Sequence, residues 1–365
     1  MAVALVGVLV GGVAGVTHWR TSDTRSPAFA KVASPVTVRE LFAGLPGRLL
    51  PPATPTALPT DRAVGRGALL YQTNDPDSLD VANGGFLQRP MYLVTASGEQ
   101  FGLGLQPIVG FSQGLSPDGR WFVHRRDGQW WIRDLTGITE RAVPPGYEVR
   151  QWSTDGRALL LEQPSGEGEA YAAFTLAGGE LRPLALRGTP HRRMLAFLDG
   201  RELATAEFNS GPYARPRRQL TIAIQDVDGR AARTVSLATT HQAGPGDIRN
   251  ALAPNVRGGG DPPAVWALVT PQEAVPAGKP HGARTVPPMT LVGVDLRSGR
   301  PAGRIDLVAP QGGEGEYFLG LAGAEVLLQR LTAGGDELVA ADPATGQRRV
   351  LTSLPKGALV TPPGD

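Results

Sequence analysis

The stretch Ser116-Pro117-Asp118-Gly119-Arg120 decides the fold, because versions of it recur along the chain between apolar runs. The further copies are Ser153-Thr154-Asp155-Gly156-Arg157 and Leu198-Asp199-Gly200-Arg201, and successive glycines lie 37 and 44 residues apart. A period of this size is typical of repeat arrays such as propellers. An Asp-Gly pair between two apolar runs also indicates a tight hairpin, because glycine adopts the positive φ that such turns require.

The chain around the first of these turns has the content of one propeller blade. Its apolar runs are Ile108–Phe111, Trp121–His124, Trp130–Ile132 and Arg141–Val143. The turn at Asp118-Gly119 follows the first run, and turns at Asp127-Gly128 and Thr136-Gly137 separate the others. Four short strands joined by tight turns are typical of one antiparallel blade.

The turn between the third and fourth strands can be followed through the whole chain. It recurs as Ser97-Gly98, Thr136-Gly137, Gly178-Gly179, Asp228-Gly229, Ser298-Gly299 and Thr345-Gly346. These six turns predict an all-β fold, a six-bladed β-propeller of four-stranded antiparallel blades over residues 65–365. Blade one has no obvious first strand before Gly65, whereas Ala358–Thr361 is a spare apolar run after the last blade. We expect this run to pair into blade one, which closes the ring and removes an exposed sheet edge.

The turn at Leu115–Arg120 resembles the WD40-like propeller repeats of TolB type, whose blades carry a Ser-Pro-Asp-Gly-Arg/Lys turn. The weaker copies are Ser153–Arg157 and Leu198–Arg201, and the Gly-His and Trp-Asp dipeptides of true WD40 repeats are missing. The resemblance implies a propeller over residues 65–361, without the functions of eukaryotic WD40 proteins. Propellers of this kind with a membrane anchor are similar to actinobacterial envelope proteins, so the resemblance implies a protein of that membrane-anchored type.

The N-terminus predicts a hydrophobic helix in front of the propeller. Ala2–Val16 is an unbroken run of Ala, Val, Leu and Gly, and Ala28-Phe29-Ala30 is a candidate cleavage site. A helix of this length covers about 22 Å, less than the roughly 30 Å hydrocarbon core, and the length also fits a signal peptide. We therefore expect residues 1–20 to be a transmembrane anchor or signal segment. The protein would be a single-pass protein of the cell membrane with its propeller outside the cytoplasm, or secreted if the segment is cleaved.

Residues 21–64 are predicted to form a short helix and a proline-rich stalk. Thr37–Glu40 has the pattern of a capping box, and apolar residues follow it at helical spacing as far as Leu45. Gly44 and Pro46 should end this helix. The prolines between Pro51 and Pro59 predict an extended, semi-rigid spacer between helix and propeller.

Composition and charge exclude several classes of function. The chain has no cysteine, which excludes disulfides, thiolate metal ligands and a cysteine nucleophile. The net charge is only +2 and no block of five basic residues occurs, so we expect no nucleic-acid partner. The histidines show no metal-ligand spacing and no phosphate-binding glycine motif is present, so we expect no metal and no cofactor.

Three other patterns are better explained by a propeller than by a functional site. Gly110–Gly114 matches the G-x-S-x-G nucleophile elbow, but a turn into a strand follows it where the elbow requires a helix. Asp226–Gly229 has only part of a calcium loop and indicates a hairpin turn. A carbohydrate platform could use exposed tryptophans, but we expect these to pack between blades; they are Trp121, Trp130, Trp131 and Trp152.

The loop lengths distinguish the two ends of the propeller. We call the end with the first-to-second and third-to-fourth turns the plain face, and the end with the second-to-third connections the decorated face. Long insertions are predicted only on the decorated face, at Asn74–Pro90, Asn209–Arg218 and Pro271–Pro288 in blades one, four and five. Insertions concentrated on one face often carry function.

The charges of these insertions are uneven. Asn74–Pro90 is mainly acidic, whereas the later insertions and one inter-blade loop are basic. The candidate binding residues are Arg215, Arg217, Arg218, His241, Lys279, His281 and Arg284. A basic sector beside an acidic one suits an anionic or bipolar partner, although a solvated surface gives the same pattern.

These observations predict a non-catalytic, extracytoplasmic binding or scaffold module that is anchored in the membrane. Its decorated face would contact a protein or an anionic envelope component. The alternative is a propeller enzyme of the lactonase or quinone-dependent dehydrogenase type, with a site at the central channel. No catalytic residue can be assigned, since the predicted first strands are largely apolar, as at Leu195–Leu198 and Phe318–Leu321.

Overall fold

A computed structural model describes residues 37–73, 80–81, 87–107, 114–165, 168–185, 192–207, 219–230, 233–238, 246–248, 256–271, 289–309 and 313–364. In these residues the helix is α1 (Val38–Phe42), and the strands lie in six separate antiparallel sheets. Blade one contains β1 (Gly67–Gln72), β2 (Asp80–Val81), β3 (Leu87–Thr95) and β4 (Gln100–Pro107). Blade two contains β5 (Gly114–Leu115), β6 (Trp121–Arg126), β7 (Gln129–Asp134) and β8 (Glu140–Ala142). Blade three contains β9 (Glu148–Trp152), β10 (Ala158–Ser165), β11 (Gly168–Thr175) and β12 (Leu181–Pro183).

Blade four contains β13 (Arg192–Leu198), β14 (Glu202–Glu207), β15 (Gln219–Asp226) and β16 (Arg233–Ala238). Blade five contains β17 (Gly246–Ile248), β18 (Val256–Gly259), β19 (Ala264–Pro271), β20 (Met289–Asp295) and β21 (Pro301–Leu307). Blade six contains β22 (Gly315–Ala322), β23 (Glu325–Thr332), β24 (Gly335–Ala341) and β25 (Arg348–Leu354), and the last strand is β26 (Leu359–Thr361). The predicted all-β, six-bladed propeller of four-stranded antiparallel blades is confirmed by this strand pairing. The predicted hydrophobic helix before it lies outside the described residues.

Two of the three Asp-Gly-Arg turns are closed by their own aspartate side chains. Asp118 Oδ1 accepts hydrogen bonds from Ser116 Oγ at 2.6 Å and from the amide of Arg120 at 3.0 Å. Gly119 has a φ of +68°, which an L side chain rarely adopts. Asp155 makes the same pair of hydrogen bonds in the second copy. The first two copies therefore build the same self-capped turn. In the third copy the Asp199 carboxylate instead accepts from Thr154 Oγ1 at 3.2 Å and from Arg297 Nη2 at 3.0 Å.

The six predicted third-to-fourth turns all lie where the sequence places them. Each falls between the third and fourth strands of its blade, from Ser97-Gly98 after β3 to Thr345-Gly346 after β24. The glycines other than Gly137 have φ values between 64° and 87°. The periodic glycines are therefore required by turn geometry.

Each interface between neighbouring blades contains its own apolar cluster. Leu159 and Leu161 of β10 pack toward blade two, whereas Ala158 and Leu160 of the same strand pack toward blade four. Six clusters of this kind occupy the six interfaces, including the one between blade six and blade one. Because side chains of a strand alternate between the two sides of its sheet, both sides are buried and the strands appear as unbroken apolar runs.

Arginines near the start of the fourth strand connect several blades to the next one. Arg141 Nη1 donates to the carbonyl of Leu176 at 3.1 Å, from blade two to blade three. Arg182 of blade three pairs with Asp228 of blade four. Arg233 of blade four donates to the carbonyl of Leu296 in blade five. The fourth strands are thereby fixed to the turns of their neighbours.

The ring closes as the sequence predicts. β26, near the C-terminal end of the described chain, pairs antiparallel with β1 through Leu70 and Thr361, Tyr71 and Val360, and Gln72 and Leu359. It occupies the first-strand position of blade one, so this blade is built from both ends of the propeller sequence. The pairing covers the edge of β1 that would otherwise be open.

The segment before β1 crosses the seam at which the ring closes. We call residues 37–65 the N-terminal strap. Its helix α1 has the predicted capping box, in which Thr37 Oγ1 accepts from the amide of Glu40 at 3.2 Å and the Glu40 carboxylate accepts from the Thr37 amide. Leu41 and Leu49 are buried with side chains of blades one and six, so the strap forms part of the core at this seam.

The strap then follows the outer edges of three blades. The amide of Leu49 donates to the carbonyl of Ser353 on β25 at 2.8 Å. The amide of Gly102 on β4 donates to the carbonyl of Thr56 at 2.9 Å. The amide of Val64 donates to the carbonyl of Leu135 in blade two at 2.8 Å. The strap therefore joins blades six, one and two before the chain enters β1.

The structure corrects the predicted spacer between Pro51 and Pro59. Residues 46–64 lie against the blades and do not hold the propeller away from the helix. Proline lacks an amide hydrogen and favours extended backbone, which suits a chain lying along the edge of a sheet as well as a free spacer. A Cβ at Gly102 would lie 2.7 Å from Pro55 Cβ, which shows how closely the strap approaches β4.

Deletion of residues 359–365 should destabilise the propeller strongly. The deletion removes β26 and exposes an edge of β1, a strand that is buried along its whole length. We expect the free energy of unfolding to fall by roughly 3 kcal/mol or more, at about 1 kcal/mol for each lost backbone hydrogen bond plus the exposed apolar surface. Urea denaturation would measure this.

The control is Lys356→Ala, an exposed side chain in the turn before β26, which should change stability by less than about 0.5 kcal/mol. An unchanged urea midpoint after the deletion would show that the ring does not depend on β26.

Leu41→Ala should also destabilise the propeller, because the side chain is only 1% exposed at the seam. We expect a loss of about 2–4 kcal/mol, typical of a leucine truncated in a packed core. Leu50→Ala is the matched control, since Leu50 lies in the same strap and is 53% exposed. Thermal unfolding of the two variants should differ, and equal midpoints would mean that the strap does not contribute to the core.

Candidate functional site

Several of the tight turns on the plain face are closed by aspartate side chains of the turns themselves. Asp134 Oδ1 accepts from the amide of Thr136 at 2.9 Å. Asp295 Oδ1 accepts from the amides of Arg297 at 2.8 Å and Ser298 at 2.6 Å. Turns of this kind leave little backbone free to adapt to a ligand.

The decorated face has connections of two very different lengths. In blades two, three and six only two residues separate the second strand from the third, at 127–128, 166–167 and 333–334. In blades one, four and five they are joined by 73–86, 208–218 and 272–288, with β2 inside the first of these. The prediction that the long insertions lie at the second-to-third position of blades one, four and five is confirmed by the order of the strands.

The predicted basic residues themselves lie outside the described residues. Arg215, Arg217 and Arg218 belong to the connection between β14 and β15, and Lys279, His281 and Arg284 belong to the connection between β19 and β20. His241 follows β16 in the connection between blades four and five. The strands that flank all three connections end at the decorated face, and the basic residues remain predictions.

A pair of arginines occupies the decorated end of blade two. The Arg126 guanidinium lies 4.4 Å from the ring centroid of Trp131, and its Nη2 donates to Glu140 Oε2 at 2.9 Å. Arg125 Nη2 lies 3.6 Å from Glu148 Oε1. Both cations are therefore paired within the fold.

His124 is a half-buried histidine in the same group. Its Nε2 lies 2.9 Å from Glu140 Oε1. Burial lowers the pKa of His124, and the hydrogen bond to Glu140 opposes this effect without cancelling it. The ring is therefore neutral at pH 7, and its Nε2–H group donates a hydrogen bond to the carboxylate.

Glu316, at the start of β22, is fully buried and bound by two arginines. Arg330 Nη2 donates to Glu316 Oε1 at 3.1 Å, Arg348 Nε donates to the same oxygen at 2.9 Å, and the amide of Val308 donates to Oε2 at 3.1 Å. Burial by itself raises the pKa of Glu316, but the hydrogen bonds from Arg348 and Val308 and the charge of Arg348 outweigh it. The pKa therefore lies below its usual value.

These contacts limit the positive charge that the described part of the decorated face offers to a partner. Four arginines near this face are each paired with a carboxylate, namely Arg125, Arg126, Arg150 and Arg330. A charge already neutralised within the fold contributes little to binding an external anion. A basic sector on this face would therefore come from the insertions.

Glu316→Gln should destabilise the protein and change its pH dependence. Because the native pKa is lowered, ionised Glu316 stabilises the fold above its unfolded pKa of about 4.3, and this contribution is lost as the pH falls through the native pKa. The variant leaves two arginines without their buried partner, and we expect a loss of about 3 kcal/mol at pH 7. Its stability should also fall less steeply than that of the parent protein below pH 4.

Glu325→Gln is the matched control, because its ion pair with Arg349 is largely solvent-exposed and should contribute less than about 1 kcal/mol. Equal stability of Glu316→Gln and the parent protein at both pH values would contradict the proposed role of the cluster.

The G-x-S-x-G match and the partial calcium loop both lie at strands and turns of the propeller. Gly114 begins strand β5, which runs into a turn and then β6, and 110–113 lie outside the described residues. Asp226–Gly229 is the turn between β15 and β16, as predicted, and Asp226 Oδ1 accepts from the amides of Asp228 and Arg230 at 3.0 Å and 2.7 Å.

Three of the four tryptophans lie between blades, as predicted, and Trp131 does not. Trp121, Trp130 and Trp152 are buried together in the cluster between blades two and three. Trp131 is half-buried on the opposite side of the sheet, under Arg126. The described tryptophans therefore form no open stacking platform.

Two carboxylates of the first strands, Glu148 and Glu316, are held by other side chains. Glu148 accepts from Trp130 Nε1 at 2.9 Å, and Glu316 is bound by Arg330 and Arg348. Among the residues that the structure describes, no group of three His, Asp or Glu is placed to hold a metal ion. In the same part of the chain, no helix has the length and apolarity needed to cross a membrane.

The class is clear from the strand pairing, since the chain is a six-bladed β-propeller. No protein-family model matches the sequence and no curated protein is similar to it.

Solved structures of propellers do match. They include TolB from Acinetobacter baumannii, with 13% identity, a TM-score of 0.39 and coverage of 78% of this chain and 65% of that one. A putative TolB from Agrobacterium tumefaciens matches with 15% identity, a TM-score of 0.35 and coverage of 68% and 91%. The propeller domain of the Trilobed protease from Pyrococcus furiosus matches with 11% identity, a TM-score of 0.41 and coverage of 82% and 84%. TolB-type propellers are thus among the similar structures, as the turn sequences predict, and the likeness concerns the fold.

Proposed function

We propose that the chain is a non-catalytic binding or scaffold module, anchored in the cell membrane by residues 1–20 with its propeller outside the cytoplasm. Its decorated face contacts a protein or an anionic component of the envelope. The observation that carries this proposal is the difference between the two faces. All three long second-to-third connections emerge at one end of the strands, whereas the described turns of the other end are tight and several are closed by their own aspartate side chains.

The charges of the described residues support the insertions as the binding part of this face. The arginines of the short turns are already paired, as for Arg126 with Glu140 and Arg330 with Glu316. The insertion residues 215–218 contain three arginines and no acid. Complementary charge would bring an anionic partner to this sector and orient it there.

The alternative of a propeller enzyme would require polar side chains that converge on the channel from several first strands. Two carboxylates of those strands are engaged, Glu148 by Trp130 and Glu316 by two arginines. This favours binding over catalysis as the proposed function.

Photo-crosslinking in the native membrane tests the proposal. A photo-reactive residue at Arg217 reports on the decorated face, and one at Ile138, which is 63% exposed in a third-to-fourth turn, reports on the plain face. We expect a partner to be captured from position 217 and not from position 138. Capture of nothing, or equal capture from both positions, would contradict the proposal and favour a site at the channel.

Removal of the basic sector should weaken the same capture. With the photo-reactive residue at Lys279, the triple variant Arg215→Ser, Arg217→Ser and Arg218→Ser should reduce the captured fraction about tenfold, at several tenths of a kcal/mol for each exposed charge. The matched control removes the same charge from exposed turns of the plain face, by Arg157→Ser, Arg201→Ser and Arg300→Ser. Equal loss in both variants would indicate only an effect of net charge.

A further inference from the structure

The strap begins on the plain face of the propeller. A Cβ at Gly44 would lie 2.2 Å from the carbonyl oxygen of Ala96, which belongs to the third-to-fourth turn of blade one. A Cβ at Gly119, in the first-to-second turn of blade two, would lie 2.9 Å from Leu41 Cδ1. Both turns define the plain face, so α1 is seated on that face at the seam of the ring.

The position of α1 is fixed by its packing. Val38, Leu41 and Phe42 are buried among side chains of blades one and six, including Ala322 at the plain-face end of β22. Thr37 at the start of the helix is exposed. The chain that precedes Thr37 is therefore attached to the propeller at its plain face.

The chain between the predicted anchor and α1 has to be compared with the distance between the two faces of the propeller. Strand β23 has eight residues, which at a rise of about 3.3 Å gives a distance of about 26 Å between the faces. Residues 17–36 separate the predicted anchor from the helix. An anchor joined to the propeller through Thr37 is attached on the plain-face side. To lie beyond the decorated face, it would have to be carried around the edge of the propeller and along its full height.

We propose that the plain face of the propeller is turned toward the membrane and the decorated face away from it. This inference rests on the anchor in the proposed function. The orientation also limits which class of partner can bind. The basic sector at Arg215, Arg217 and Arg218 would face away from the lipid head groups of the anchoring membrane. The anionic partner is accordingly a component outside the bilayer.

The chain offers a matched pair of positions for a test. Ala324 and Ala333 are exposed residues directly before and after β23, at the plain and decorated ends of the same strand. The chain has no cysteine, so Ala324→Cys and Ala333→Cys each give one labelling site. Each full-length variant carries a donor fluorophore and is reconstituted into phosphatidylcholine–phosphatidylglycerol vesicles that contain an acceptor-labelled lipid.

We expect higher energy transfer from position 324 than from position 333. Equal transfer, or higher transfer from position 333, in a protein that floats with the vesicles would overturn the orientation while leaving the anchor intact. A full-length protein that does not float with the vesicles would overturn the anchor of the proposed function and the orientation with it. A variant without residues 1–36 is the control, and it should show no transfer from either position.

Discussion

The pairing of β26 with β1 is the constraint on which the rest of the structure depends. Each apolar cluster needs side chains from two neighbouring blades, so an opening at one seam exposes a complete cluster to water. Blade one has no first strand of its own before β1, and the strand near the C-terminal end of the described chain supplies it. The N-terminal strap packs over the same seam, so both ends of the described chain stabilise the closure.

Most of the described charged groups have a structural role. Aspartates of the turns accept hydrogen bonds from nearby amides, as Asp118 does from Arg120, and Arg141 connects one blade to the next. Glu316 is buried only because Arg330 and Arg348 bind it, since an isolated carboxylate would be too costly to remove from water. An arginine-rich composition is therefore compatible with a nearly neutral protein in which many of the described arginines are paired with carboxylates.

The two faces impose different constraints on evolution and function. A turn at the plain face requires a positive φ and a capping side chain, so it tolerates little change in length. A second-to-third connection only has to join two strand ends, and an insertion there leaves both neighbouring apolar clusters unchanged. A propeller anchored through its plain face would present these variable connections to the surroundings, which is the arrangement expected of a binding module.

The sequence by itself determined the blades, their turns and the places of the insertions. These features depend on local signals, a glycine at a positive φ in every third-to-fourth turn except that at Gly137 and apolar runs in strands that are buried on both sides. Only the tertiary structure decided that the proline-rich segment lies along the blade edges, because extended backbone suits a free spacer equally well. It also decided the partners of Glu316, since Arg330 and Arg348 come from 14 and 32 residues away and no local pattern connects them. The basic residues of the insertions stay predictions, because charge in a loop specifies no geometry.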